Sequence, residues 1–279
     1  MPENVIIVDK AKGQTPLEVI QNLKKMRSEL RLVPMTYAGR LDPLATGVLI
    51  VLIGDECLKK DEYLALPKEY KVSVLFGFAT DTYDILGKIV ANVSPAELFE
   101  RFSDLLARDS LEERGQTVSK EVSGVVPDIS GEVRSQLKEF TGRINQNYPP
   151  YSSRTVDGKP LFQWAREGKL DEIEIPSHDV FVESITLDGM SSVSGKELGN
   201  KIQEDIATVS GDFRQDEILE IWKEKLSGMQ EIEFPITNLT IRCGSGVYVR
   251  SIAHELGQKF GIPALALDIR RTKVGAYTI

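Results

Sequence analysis

The apolar and polar positions divide the chain into short strand-like runs and amphipathic helical stretches. Val5 to Val8 is an apolar run suited to a buried strand. Helical spacing follows, with Leu17, Ile20, Leu23, Met26 and Leu30 on one apolar face. Its start signal is complete: Thr15 as N-cap, Pro16 in the first helical position and Glu18 closing a capping box. VLIVLI (48–53) reads as a buried strand and DECLKKDEYLAL as a short helix. In YKVSVLFGF (70–78), strict alternation puts Tyr70, Val72, Val74, Phe76 and Phe78 on one face of a strand. Residues 95–116 and 131–140 look helical, with a loop between them. Residues 191–230 hold two acidic helical stretches, the second amphipathic through Ile218, Ile221, Trp222 and Leu226. Phe181 to Leu187, ITNLTIRC and ALALDIRRTKVGAYTI read as strands. GSGVYVRSIAHELGQKFG leads into a helix stopped at Gly261. With no repeat or linker in view, the pattern predicts one α+β domain over 1–279, with helical insertions at about 94–130 and 191–230.

One stretch does not fit a purely structural reading. YAGRLDPLATG (37–47) sets Asp42 between Leu41 and Pro43, with Gly39 and Gly47 on either side. Proline fixes its own φ and biases the residue before it toward an extended backbone, so the carboxylate stands on a stiff, non-helical loop that feeds a buried strand. A bare Asp-Pro pair is usually only a turn. Here the surrounding context makes it a displayed functional group. Arg250, in the first turn of the late helix, lies among the apolar residues Tyr248, Val249, Ile252 and Ala253, and a part-buried guanidinium needs a carboxylate partner.

Composition narrows the classes. The chain has 279 residues, 41% of them hydrophobic and 27% charged, as in a soluble globular protein with a substantial core. No run is long enough to span a membrane, and the N-terminus lacks a signal-peptide pattern. Cys57 and Cys243 form neither a metal nor a disulfide pattern, so a reducing cytoplasm is the expected setting. The net charge of −8 argues against a general nucleic-acid binder. That charge is uneven, however: 94–133 and 170–235 are acidic, while 237–279 is basic, with Arg270, Arg271 and Lys273 close together. An RNA or nucleotide substrate therefore stays open.

The two histidines, His178 and His254, have no ligand-like spacing, and neither a Walker loop nor a Rossmann fingerprint is present. What remains is an aspartate on a rigid loop, arginines to pair with it, and aromatic rings. That set suits carboxylate catalysis at an electrophilic sugar carbon. A retaining glycosidase needs a second carboxylate as acid, and none is singled out, so a reaction whose leaving group needs no separate acid fits better. Between Phe140 and Gly168, Tyr148, Tyr151, Phe162 and Trp164 interleave with bases such as Arg154 and Lys159 on an irregular loop. Such a loop either grips RNA by phosphate contact and stacking, or is merely packed by its own rings.

Taken in order, these motifs resemble the TruB family of tRNA pseudouridine synthases. YAGRLDPLATGVLIVLIGDECLK is similar to the family's catalytic stretch, VDKAKGQTP to its N-terminal box and KEYKVSVLFGFATDTYDILG to its strand and following TDT loop. QNYPPYSSRTVDGKPLFQWAREG resembles its thumb-like RNA-binding loop, and GSGVYVRSIAHELG with LDIRRTKVG its C-terminal core. The resemblance implies a pseudouridine synthase fold with a mixed, mostly antiparallel central sheet flanked by helices. It implies conversion of a uridine in the tRNA T-loop by base flipping, with no metal or organic cofactor and no obligatory protein partner; a monomer is the default. Asp42 corresponds to the residue that attacks the ribose or supports detachment of the base. Tyr70 corresponds to the ring stacked on the flipped uracil, Arg250 to the ion-pair partner of Asp42, and Ile269 to an aliphatic residue against the target base. Tyr37, Gly39, Leu41, Tyr151, Arg154 and Lys159 fall in substrate-contacting segments. Tyr37 stands in place of a histidine, Thr155 of a lysine and Phe162 of a tyrosine. With the chain ending just after VGAYTI, the resemblance leads to the expectation of a compact variant, without the small C-terminal RNA-binding domain of many bacterial members. The same scaffold without turnover, or a nucleoside hydrolase using the same aspartate, are the competing expectations.

Overall fold

The computed structural model describes residues 4–113 and 128–279. Its strands in chain order are β1 (Val5–Lys10), β2 (Met35–Ala38), β3 (Thr46–Ile53), β4 (Lys68–Phe76), β5 (Phe78–Thr80), β6 (Ile89–Asn92), β7 (Gly142–Asn147), β8 (Thr155–Val156), β9 (Lys159–Pro160), β10 (Ser177–Ser194), β11 (Glu233–Cys243), β12 (Ala264–Val274) and β13 (Tyr277–Thr278). The helices are α1 (Pro16–Met26), α2 (Lys60–Ala65), α3 (Pro95–Glu113), α4 (Ser130–Leu137), α5 (Leu161–Arg166), α6 (Gly195–Ala207), α7 (Gln215–Lys225) and α8 (Val249–Phe260). Among the described residues, nine strands form one sheet in the order β1-β3-β12-β4-β11-β10-β7, with β2 beside β3 and β13 beside β12. Every pairing in it is antiparallel except β3 with β12, a parallel contact of Thr46 with Arg270 and Gly47 with Arg271. The expected mixed, mostly antiparallel sheet flanked by helices is what forms.

Alternation explains the placement of β3 and β4. Along β3, Val48, Ile50 and Leu52 pack with Val5, Tyr63 and Val274 on one face, while Leu49 and Val51 pack with Val19, Ile20 and Leu23 of α1 on the other. A strand buried on both faces has to be apolar at every position, which is why this run shows no period. On β4, Tyr70, Val72 and Val74 are buried, whereas Lys71 is exposed and Ser73 half-exposed. Helix α8 packs on β12 and β4, and α4 and α6 pack on β10.

Several boundaries differ from the sequence expectation. The capping box of Thr15 and Glu18 forms, but Leu17 and Met26 are exposed, because α1 turns Val19, Ile20 and Leu23 toward β3 instead. The 70–78 strand breaks at Gly77, which takes φ +105° and so separates β4 from β5. The loop expected from Phe140 begins as a paired strand, β7, against β10. Strand β10 runs on to Ser194, because β11 pairs with it as far as Glu233, so the second insertion begins at Gly195 rather than 191. Most of the loop expected at 117–130 lies outside the described residues. Arg271, grouped with a basic patch, is buried at 1% exposure.

The second insertion is part of the main core. Leu198, Ile202, Ile206, Ile218, Trp222 and Leu226 from α6 and α7 join the cluster that contains Tyr70, Phe78 and Phe234. The Trp222 and Phe78 rings lie 5.1 Å apart.

Candidate active site

Asp42 sits where β3 begins, on a loop fastened at both ends. On the N-terminal side, Gly39 at φ +82° turns its carbonyl toward Arg271, whose Nη2 donates to it at 3.0 Å. Arg271 also donates from Nε to the Val48 carbonyl at 2.8 Å. On the C-terminal side, the Pro43 carbonyl accepts from the Lys10 ammonium and from the Gly13 backbone N–H, both at 2.9 Å. Leu41, Leu44 and Ala45 are buried beneath, in the main core. Backbone carbonyls held by buried cations and a prolyl ring leave the carboxylate little freedom.

The guanidinium that meets Asp42 comes from the second residue of α8. Arg250 Nε lies 2.7 Å from Asp42 Oδ2, an ionic contact in which the N–H is poorly aimed at the oxygen, and Nη2 donates to Oδ1 at 3.4 Å. Arg250 is 3% exposed, so its other groups need partners as well. Nη1 donates to the Thr82 carbonyl and Nη2 to the Tyr151 carbonyl at 3.4 Å. A second carboxylate, Asp84, approaches Nε to 3.9 Å. Burial pushes the Asp84 carboxyl up to about 6, against the pull of Arg250, and the Asp42 charge adds to the rise. Asp84 also accepts from the Thr82 hydroxyl at 2.7 Å and from the Leu86 N–H at 3.0 Å.

Strand register supplies the floor. Tyr70 on β4 pairs with Arg271 on β12, and Val72 pairs with Ile269, so Tyr70, Ile269 and Arg271 share one face of the sheet. Tyr70 is buried, and burial raises its phenol above the ordinary range, with Arg271 opposing. Asp42, Tyr70 and Arg250 thus line one cleft of about 780 Å³, together with Tyr37, Gly39, Leu41, Tyr151 and Ile269. The acid, the ring and the guanidinium come from three distant segments, as the sequence reading requires.

Two of the residues expected to contact substrate stand elsewhere. Arg154 is exposed over the Tyr148 ring at 5.2 Å, and Lys159 pairs with Glu167 at 2.6 Å while lying 3.6 Å from the Trp164 ring centre. Neither lines the cleft. Others at the cleft escaped the sequence reading: Asp84, Arg271, Tyr248, and from the insertion Phe213 and Arg214. Asp84 lies in the TDTYD run, which reads locally as a polar loop because aspartate and threonine are ordinary turn residues. Nothing local pointed to Arg214.

Residues 27–107 and 105–213 match the model of the TruB family pseudouridylate synthase N-terminal domain. The chain belongs to the TruB family. It is 28% identical to tRNA pseudouridine synthase B of Lactobacillus acidophilus over 279 residues, covering 100% of this chain and 71% of that protein. It is 28% identical to the same-named protein of Chlamydia muridarum, covering 99% and 83%, and to that of Aquifex aeolicus, covering 99% and 70%. A chain in the crystal structure of a Cbf5-Nop10-Gar1 complex shares the fold at a TM-score of 0.51 and 17% identity, over 99% of this chain and 50% of that one. As a TruB member the protein is an enzyme, a pseudouridine synthase, whose family chemistry is an aspartate-based isomerisation without a cofactor.

Proposed function

We propose that this TruB protein converts a uridine in the T-loop of tRNA to pseudouridine, with Asp42 as the catalytic carboxylate. The observation that carries the reading is the Asp42–Arg250 pair at 2.7 Å in a cleft floored by Tyr70. Extruding a nucleotide costs a few kcal/mol of unstacking, which a stacked ring and an apolar wall offset. Tyr70 and Ile269 furnish these, and burial keeps the phenol protonated and the ring uncharged. Arg250 pairs with Asp42 and aims it while the N1–C1′ bond breaks. The carboxylate then stabilises the electron-poor C1′, by covalent attachment or by charge. The freed uracil carries away the electron pair, turns, and bonds to C1′ through C5. Where the carboxylate is attached, its bond to C1′ breaks as the C5–C1′ bond forms; transfer of the C5 proton to N1 then restores the C5–C6 double bond, with the Tyr70 phenol as a protic group able to relay it. The relatives' names, which specify tRNA, support the choice of RNA.

The test is incubation with an unmodified tRNA transcript, followed by mapping pseudouridine through carbodiimide adducts that stop reverse transcription. One T-loop position is expected to react, and none with Asp42→Asn although that variant still binds RNA. Modification that survives Asp42→Asn would remove this carboxylate from the chemistry.

A further inference from the structure

The insertion between β10 and β11 reaches the active site through one residue. Helices α6 and α7 are joined by a turn that ends at Arg214, a non-glycine residue at φ +64° that caps α7. Such a backbone is strained for a residue with a side chain and persists where surroundings enforce it. Here the surroundings are specific. The guanidinium donates to both oxygens of Asp81, from Nη1 at 2.6 Å and from Nη2 at 3.2 Å. It also lies over the Tyr151 ring at 4.4 Å from the centroid. Burial and the nearby Asp81 push the Tyr151 phenol up to about 12, so that ring is neutral beneath the cation. The preceding Asp212 accepts from Arg166 of the thumb-like segment, fastening the turn from its other side. Lys88, just after the TDT loop, pairs with Glu217 of α7 at 2.5 Å.

The two segments gripped by Arg214 are the two that hold Arg250. Asp81 immediately precedes Thr82, whose carbonyl accepts from Arg250 Nη1, and Tyr151 itself offers the carbonyl that accepts from Nη2. We infer that Arg214 is a positioning residue for pseudouridine formation: the insertion delivers it to clamp both backbone anchors of Arg250, and so to hold the guanidinium that aims Asp42. It acts through Arg250 and need not touch the reacting atoms. A bidentate, ring-stacked arginine suits that task, because its planar fork fixes direction as well as charge, which a lysine cannot do. The acidic insertion, without visible chemistry of its own, thereby becomes part of the active-site framework.

This inference rests on the proposed uridine isomerisation, and its test separates the two. Single-turnover and steady-state pseudouridine formation are measured on an unmodified tRNA transcript for the wild type, Arg214→Ala, Arg214→Lys, Asp81→Asn and the double variant Arg214→Ala/Asp81→Asn. If the wild type forms no pseudouridine, the functional reading fails and the inference goes with it. If it is active, Arg214→Ala is expected to lower kcat by about 30-fold, the scale of a small displacement of catalytic groups. KM and tRNA affinity should stay within about threefold, since a positioning loss falls on the chemical step rather than on uniform binding. Arg214→Lys, which keeps the charge and the fold without the fork, is expected to remain slow. Asp81→Asn should be similarly slow, and the double variant no slower than either single. Unchanged kcat in Arg214→Lys and Asp81→Asn would overturn the inference. So would a loss confined to KM, which would make Arg214 an RNA contact instead.

Discussion

The Asp42 loop and the β10–β11 insertion both serve one cleft, but they are held in opposite ways. The loop takes its shape locally, from Pro43 and the φ +82° turn at Gly39, and its carbonyls are then tied to Lys10 and Arg271 from other segments. The insertion is fixed by its apolar face, with Trp222 against Phe78 and Ile218 fully buried, and reaches the cleft through long-range side-chain contacts. The loop displays a reacting group, while the insertion orients a group that orients it. A residue can thus matter to the same site by being held or by holding, and only the first leaves a local trace.

The comparison can be broken where each region meets the sheet. On the loop side, Gly47 has φ +102°, and a Cβ there would stand 2.1 Å from the Arg271 carbonyl oxygen across the parallel β3–β12 contact. Gly47→Ala is therefore expected to lose about 4 kcal/mol or to fail to fold, read by urea unfolding. A near-neutral result would mean that this contact does not set the loop. On the insertion side, Trp222→Ala should cost about 3–5 kcal/mol in the single global transition, as a fully buried core residue does. If the insertion were an appendage, a separate early transition would appear while the rest kept its midpoint.

The smallest effect concerns Asp84, which sharpens the contrast because it sits on the loop gripped from both sides. Burial raises its carboxyl to about 6, above the ordinary value of 3.8. The native state therefore binds this proton more readily than the unfolded chain, and its stability contribution is lost as pH rises from about 4 to about 6. Asp84→Asn removes that titration. The stability of wild type relative to Asp84→Asn should fall by on the order of 2 kcal/mol between pH 4 and pH 7, measured by urea unfolding at both. A difference that does not vary with pH would contradict the buried, coupled placement.

Much of this protein was legible in local pattern. Strict alternation along β4 settled which face Tyr70 presents, and the uniform run of β3 announced a strand covered on both sides. Thr15 and Glu18 closed their capping box, and Gly261 ended α8 at φ +66°. These features depend on a few adjacent residues, so spacing predicts them. The face of α1 misled the pattern reading at Leu17 and Met26, since apolar residues at helical spacing need not all find a partner.

The sequence by itself determined most of the long elements, the displayed carboxylate and the family, because backbone preference and apolar period are properties of neighbouring residues. Tertiary structure alone decided that Arg271 is buried under Gly39 rather than spread over a basic surface, that Asp84 stands as a second acid by Arg250, and that Arg154 and Lys159 find their partners away from the cleft. It also decided that Arg214, 133 positions from Asp81, would close on it. The physical reason is that a charge acquires its role from the groups that replace its water, and those groups come from wherever the sheet order brings them.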